Sequence, residues 1–187
     1  MKNIIKDHLF IRIPRTASTS ICQALYGRTV EHMTAERWKE LIKGEWKDRF
    51  VFAIVRNPYD RFISAFYYFK EFKESGYDDV NSFLEKIDLK KFAGLSVRHE
   101  FITRLQTDFI YSKSGYHGDE KLLVDYIGRY EQLEASWGTI CNVLNFTYKE
   151  LSHERPSKKD LVELNVKAKE EIKNFYKRDF ELLKYEL

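Results

Sequence analysis

The run His8-Leu-Phe-Ile-Arg-Ile-Pro-Arg-Thr-Ala-Ser-Thr-Ser20 restricts the possible folds of this chain more than any other feature. It reads as a short apolar strand entering a loop of small hydroxyl residues, with one cation, Arg15, at the loop's start. An apolar, helix-capable segment, Ile21 to Leu25, follows at once. Strand, tight loop and helix N-terminus together hold phosphate and related oxyanions. The first N–H groups of a helix lack intrahelical partners, and the positive end of its dipole lies beside them. Hydroxyls at Thr16, Ser18, Thr19 and Ser20 add side-chain donors. The loop has no glycine and no lysine, so it is not the Gly-x-x-x-x-Gly-Lys-Ser/Thr loop that binds nucleoside triphosphates. A plainer reading has Ser18 to Ser20 only capping a helix. Capping needs one such residue, whereas this loop has four hydroxyls beside an Arg.

A second segment adds weight to the anion reading. Phe50-Val-Phe-Ala-Ile-Val55 is an unbroken apolar run of β-branched and aromatic residues, suited to a central parallel strand buried on both faces. Pro58 ends it and fits the first turn of a helix. Arg56 thus stands at the carboxyl end of a strand, where open α/β sheets bind ligands, and Ser64 follows about two helical turns on. A magnesium-dependent ATPase places an Asp at such a strand end, but this chain places a cation there. An Arg binds a bare phosphate monoester with two parallel hydrogen bonds. The plain alternative is a surface ion pair of Arg56 with Asp60, worth little.

Together, Ile13-Pro14-Arg15-Thr16-Ala17-Ser18-Thr19-Ser20 and Arg56-Asn-Pro-Tyr-Asp-Arg-Phe-Ile-Ser64 resemble two motifs of the sulfotransferases that use 3′-phosphoadenosine 5′-phosphosulfate (PAPS). The first resembles their 5′-phosphosulfate loop and the second their 3′-phosphate motif. The chain is most similar to the second large family of carbohydrate sulfotransferases. The Ala-Ser-Thr-Ser form of the loop resembles the heparan sulfate uronosyl 2-O-sulfotransferases and their bacterial relatives. Glu31-His32-Met-Thr-Ala35, Tyr126-Ile-Gly-Arg129-Tyr-Glu131-Gln-Leu133 and Tyr176-Lys-Arg-Asp179-Phe180 extend the similarity along the chain. One departure is Arg15, where the family usually has Lys. The charge is kept, but a guanidinium is larger and is not a point-like ammonium.

The resemblance implies a P-loop NTPase-like α/β fold, a central parallel sheet flanked by helices in three layers. It also implies in-line transfer of a sulfuryl group from PAPS to a hydroxyl acceptor, a small molecule or an oligosaccharide, with 3′,5′-adenosine diphosphate as product and no metal. Arg15 would stabilise the leaving oxygen, backbone N–H groups of Thr16, Ala17, Ser18, Thr19 and Ser20 would cradle the 5′-phosphate, and Arg56 and Ser64 would hold the 3′-phosphate. Arg155, in Ser152-His153-Glu-Arg155-Pro-Ser-Lys158-Lys159, would belong to a basic loop closing over the nucleotide; a solvated charge run is the alternative. His32 stands where the uronosyl 2-O family has its catalytic base, and an ordinary imidazole suits that role at neutral pH. His99 and Glu100 compete for it and could instead bind substrate; Arg98, Arg104 and Gln106 could face the acceptor. Two other classes remain open: an ATP-dependent phosphotransferase on the same plan, and a nucleotide-binding protein without turnover.

The rest of the chain fits one domain over residues 1–187. A 43% hydrophobic content argues against disorder, and a net charge of +3 is too weak to suggest nucleic acid. No apolar window is long enough to span a membrane, and Met1-Lys-Asn-Ile-Ile-Lys-Asp lacks a signal-peptide core, so a cytoplasmic location is expected. Cys22 and Cys141, isolated among apolar residues, read as buried reduced thiols, and no His/Cys cluster has zinc spacing. Strands are expected at 9–13, near 29–31, and at 50–55, 109–112 and 126–130. Helices are expected at 19–26, 34–42, 59–74, 80–87, 100–106 and 133–144, and from 158 to 183 with a break near Asn165. The aromatic cluster Phe66-Tyr67-Tyr68-Phe69 reads as core before it reads as a stacking platform.

Overall fold

The computed structural model describes residues 7–112, 120–152 and 162–186. In chain order the elements are β1 (His8–Ile11), α1 (Ser18–Tyr26), α2 (Ala35–Ile42), β2 (Phe50–Val55), α3 (Pro58–Phe66), α4 (Lys70–Lys73) and α5 (Val80–Lys86). They continue as α6 (Leu89–Ala93), α7 (Val97–Thr103), α8 (Thr107–Ile110), β3 (Tyr126–Arg129), α9 (Leu133–Val143), α10 (Val166–Phe175) and α11 (Lys177–Leu183). These elements fall into two compact units, one built from residues up to Arg56 and from Gln106 to Arg155, the other from Asn57–Leu105 and from Pro156 on.

The first unit holds a parallel three-stranded sheet in the order β1-β2-β3, flanked by helices. The apolar run 50–55 takes the central position, as its composition requires. Every residue from Val51 to Val55 is buried, so both faces of the strand are covered. On one face Phe10, Phe52 and Ile54 pack with Ile21 and Cys22 of α1 and Trp137, Ile140 and Cys141 of α9. Both cysteines are free and buried, and burial pushes both thiols up, which keeps them protonated.

The register fixes what happens at the carboxyl edge. Ile11 pairs with Ala53, and Val55 with Arg129. All three strands run the same way, so the residues after β1, Arg56 after β2 and Tyr130 after β3 emerge at one end of the sheet, with Arg56 in the middle. Helix α9 is pinned to this edge by Ser136, whose Oγ accepts from the Arg129 N–H at 2.9 Å and donates to the Arg129 carbonyl at 3.1 Å. That approach needs a glycine at 128. A Cβ there would lie 2.5 Å from Ile54 Cδ1 and 2.8 Å from Ser136 Cβ. Gly128→Ala is therefore expected to destabilise the protein by about 1–3 kcal/mol through overpacking. Thermal melting followed by circular dichroism checks this, at roughly 2–4 °C per kcal/mol for a chain of this size.

The second unit is organised by aromatic side chains. Phe62 and Phe66 of α3, Phe72 of α4, Phe83 of α5, Phe92 of α6, and Tyr176 and Phe180 near the C-terminus form one buried cluster. Several rings meet edge to face, among them Phe62–Phe72 and Phe72–Phe83, the geometry that the ring quadrupole favours. Asn57 opens α3, accepting the Tyr59 N–H at 2.9 Å, with Pro58 in the first turn. Arg61 is buried, donates to the Arg104 carbonyl at 2.7 Å and lies 5.2 Å from the centre of the Tyr176 ring.

Several expected elements differ. The helix anticipated over 59–74 stops at Phe66 and restarts at Lys70, with Phe69 extended between. This break lets Phe69 and Phe72 join Phe66 in the core, and aromatic residues lose little helical stability by leaving a helix. The strand expected at 109–112 is instead α8, followed by a single antiparallel bridge from Tyr111 to Leu122. The apolar run Phe109-Ile-Tyr111 is too short to have a period that separates strand from helix. No strand forms at 29–31; instead the Arg12 guanidinium takes the Val30 carbonyl, so a side chain does the bridging. The C-terminal helix breaks at Tyr176, and its second-to-last stretch begins after Asn165, whose side chain accepts from Ala168 N–H at 2.9 Å. The segment 158–161 lies outside the described residues. Thr34 caps α2 as expected, accepting from Arg37 N–H at 3.2 Å. The aromatic cluster is largely core: Phe66 and Phe69 are buried, whereas Tyr68 is exposed.

Candidate active site

The loop between β1 and α1 takes an unusual backbone path. Arg15 has φ 67° and Ala17 has φ 57°, both in the left-handed region that glycine normally occupies, while Thr16 between them does not. Alternating hands turn successive N–H groups toward one concave side, which is how a nest for an anion is made. A glycine-free sequence therefore builds this loop at a conformational cost of about 1–2 kcal/mol per left-handed residue. Such stored strain is commonest where a ligand is held. Ala17→Gly should relieve it. Relief of about 1–2 kcal/mol exceeds the roughly 0.5–1 kcal/mol lost to greater chain freedom, so denaturant unfolding should show a small gain in stability.

Helix α1 starts directly from this loop. Its N-cap is Ala17, and no side chain caps the first turn, so the plain reading of Ser18 to Ser20 as capping residues does not describe the helix. Ser18, Thr19 and Ser20 are themselves the first helical residues and bring their N–H groups to the loop. The Thr16 hydroxyl, expected as a ligand donor, instead donates to the Ile13 carbonyl at 3.0 Å and closes the loop on itself.

Arg56 enters from the next strand. It is 2% exposed and so is not the surface side chain that the plain alternative assumed. Its Nη1 donates to the Arg15 carbonyl at 3.2 Å, and its guanidinium lies over the Tyr130 ring, 4.2 Å from the centroid. The loop after β1, the end of β2 and the residue after β3 thus converge on one cation. Tyr130 was not foreseen as part of the site; its position one residue past a parallel strand was the available signal. The Arg56 backbone is held as well. Gln106, fully buried, accepts the Arg56 N–H at 2.9 Å and donates its amide to the Arg56 carbonyl at 2.8 Å. Gln106, expected to face an acceptor, directs both amide atoms at Arg56.

His32 is half-buried and lies in the unpaired stretch before α2. Its Nδ1 is 3.0 Å from the Arg12 carbonyl. A carbonyl can only accept, so Nδ1 carries the proton and the lone pair of the neutral ring is on Nε2. The same Arg12 donates its guanidinium to Val30, so one buried residue braces the His32 segment from both its ends. Sequence reasoning missed Arg12, which sits inside the apolar strand pattern as an apparent interruption.

Three further candidates belong to the second unit. Ser64 is buried on α3. His99, on α7, places Nδ1 2.7 Å from Ser96 Oγ and packs edge-on against Phe92 at 4.5 Å between ring centroids. Glu100 pairs with Arg104 at 2.9 Å, one helical turn on. Arg98 is likewise engaged, 2.6 Å from Glu71. Arg155 and His153 lie outside the described residues. Among the described residues no group of His, Cys, Asp or Glu is placed to hold a metal ion, and no helix is long and apolar enough to cross a membrane.

A sequence model of the sulfotransferase family matches residues 6–186, nearly the whole chain. No curated protein and no solved structure matches it.

Proposed function

Because the chain belongs to the sulfotransferase family, we propose that it moves a sulfuryl group from PAPS to a hydroxyl of a carbohydrate at the carboxyl edge of its parallel sheet. The observation that carries this reading is the hydrogen bond from Arg56 Nη1 to the Arg15 carbonyl. It brings the cation of the second motif onto the loop of the first, within reach of one ligand that is anionic at both ends.

In this reading the backbone N–H groups of Thr16 to Ser20 surround the 5′-phosphate, and the positive end of α1 adds to their field. Arg56 binds the 3′-phosphate with its fork, a group ATP lacks; motif spacing alone assigns Ser64 to the same phosphate. The acceptor oxygen attacks sulfur while the bond from sulfur to the bridging phosphate oxygen breaks. His32 takes the acceptor proton at Nε2, its Nδ1 proton held by the Arg12 carbonyl. Arg15 stabilises the charge left on the departing 3′,5′-adenosine diphosphate. The loop's left-handed residues and uncapped helix start suit such an anion.

Calorimetry with 3′,5′-adenosine diphosphate, 5′-AMP and ATP with magnesium tests the donor. The reading expects the 3′-phosphorylated product to bind tightest without metal. Equal binding of all three, or tight binding only of magnesium ATP, overturns it. Transfer of labelled sulfate from PAPS across an oligosaccharide and small-phenol panel then tests turnover and the carbohydrate acceptor.

A further inference from the structure

Gln106 makes an arrangement that the proposed chemistry does not by itself require. A central strand normally passes its last peptide groups to its neighbours. Beyond Val55, however, the Arg56 N–H and carbonyl are both met by one side chain fifty positions away in sequence. A primary amide presents a donor and an acceptor side by side, as a peptide does. Gln106 therefore adds a rung to β2 at the one residue whose side chain carries the site's central cation. Both bonds are short and reciprocal, and both residues are buried, so water does not compete for these peptide groups. The guanidinium of Arg56 is fixed at its far end by the Arg15 carbonyl and the Tyr130 ring. Gln106 fixes it at its root.

We infer that Gln106 is a positioning residue for anion selectivity: by clamping the Arg56 backbone it sets where the guanidinium fork points and hence how strongly the protein prefers a ligand with a 3′-phosphate. The inference rests on the PAPS reading above. A fork that binds a phosphate through two parallel hydrogen bonds depends on angle as well as distance, so a loosened root costs selectivity before it costs general nucleotide affinity.

The test compares wild type, Gln106→Leu and Gln106→Glu by calorimetry with 3′,5′-adenosine diphosphate and 5′-AMP, at pH 8 and at pH 5.5. The readout is the ratio of the two affinities. An ionised carboxylate can accept the Arg56 N–H but sets a second acceptor against the Arg56 carbonyl. A protonated carboxyl restores the donor. Gln106→Glu should therefore lose at least tenfold of the wild-type ratio at pH 8 and recover most of it at pH 5.5, with wild type at each pH as the reference. Gln106→Leu should lose the ratio at both. Melting curves identify any variant that does not fold, and either variant decides alone. If both fail to fold, hydrogen exchange of the Arg56 amide in wild type decides: protection that rises on binding 3′,5′-adenosine diphosphate but not 5′-AMP supports the clamp, and equal protection overturns it. An unchanged ratio, or equal losses for both nucleotides, overturns the inference. If wild type itself does not distinguish the two nucleotides, the PAPS reading has failed instead.

Discussion

Arg56→Ala is expected to weaken binding of 3′,5′-adenosine diphosphate by about 10²–10³-fold while changing 5′-AMP affinity by less than about tenfold. Removing one partner of a desolvated, charge-assisted pair costs about 2–5 kcal/mol, because the other charge then stays behind without its partner. Only the 3′-phosphate has Arg56 as its partner in the proposed mode, so the loss should be confined to ligands that carry it. Isothermal calorimetry of the two nucleotides against wild type and variant measures the difference directly. Equal losses for both ligands would mean that Arg56 merely holds the loop together.

That second outcome has a physical basis. Arg56 is also structural: it donates to the Arg15 carbonyl and stacks on Tyr130, and a desolvated cation–π contact alone is worth about 2 kcal/mol. Arg56→Lys separates the roles. A lysine keeps the charge but has neither the planar fork nor the flat face for Tyr130. It should recover part of the 3′-selectivity if charge dominates and little if the fork does.

The three strands of the sheet and the loop were legible because their signals are local, whereas the strands expected at 29–31 and 109–112 did not form. The run 50–55 is apolar without a break, and a strand buried on both faces needs that composition. Thr34 announced a helix start because a short side chain that accepts from a nearby N–H favours such a position wherever it occurs, whereas Asn165, read as a break within a longer helix, is the residue from which a helix starts. Arg15, Ala17 and Arg56 were found as a pair of motifs, but the way they meet was not readable. The Arg56–Arg15 bond joins backbone to side chain across two strands, and its existence depends on register. Gln106 and Arg12 were misjudged or missed for the same reason. What each does is set by which peptide groups lie opposite, and a side chain's identity carries no record of that. The broken aromatic helix and the replacement of a strand by α8 show the complementary limit. Where tertiary packing rewards burying Phe69 and Phe72, local helical preference gives way.

His32→Ala is expected to lower the rate of sulfuryl transfer by about 10²–10⁴-fold, the usual contribution of a general base, while nucleotide affinity stays within about twofold. The separation follows from where the ring is anchored. His32 is bonded to the Arg12 carbonyl, upstream of the left-handed residues that shape the anion nest, so its removal leaves the N–H groups of Thr16 to Ser20 in place. The stability cost should be about that of one neutral hydrogen bond, near 1 kcal/mol. Single-turnover assays with and without added imidazole, beside calorimetry with 3′,5′-adenosine diphosphate, read rate and affinity separately; partial rescue by imidazole marks a missing proton acceptor and not a displaced loop. Unaltered turnover in His32→Ala would move the role to His99 or Glu100.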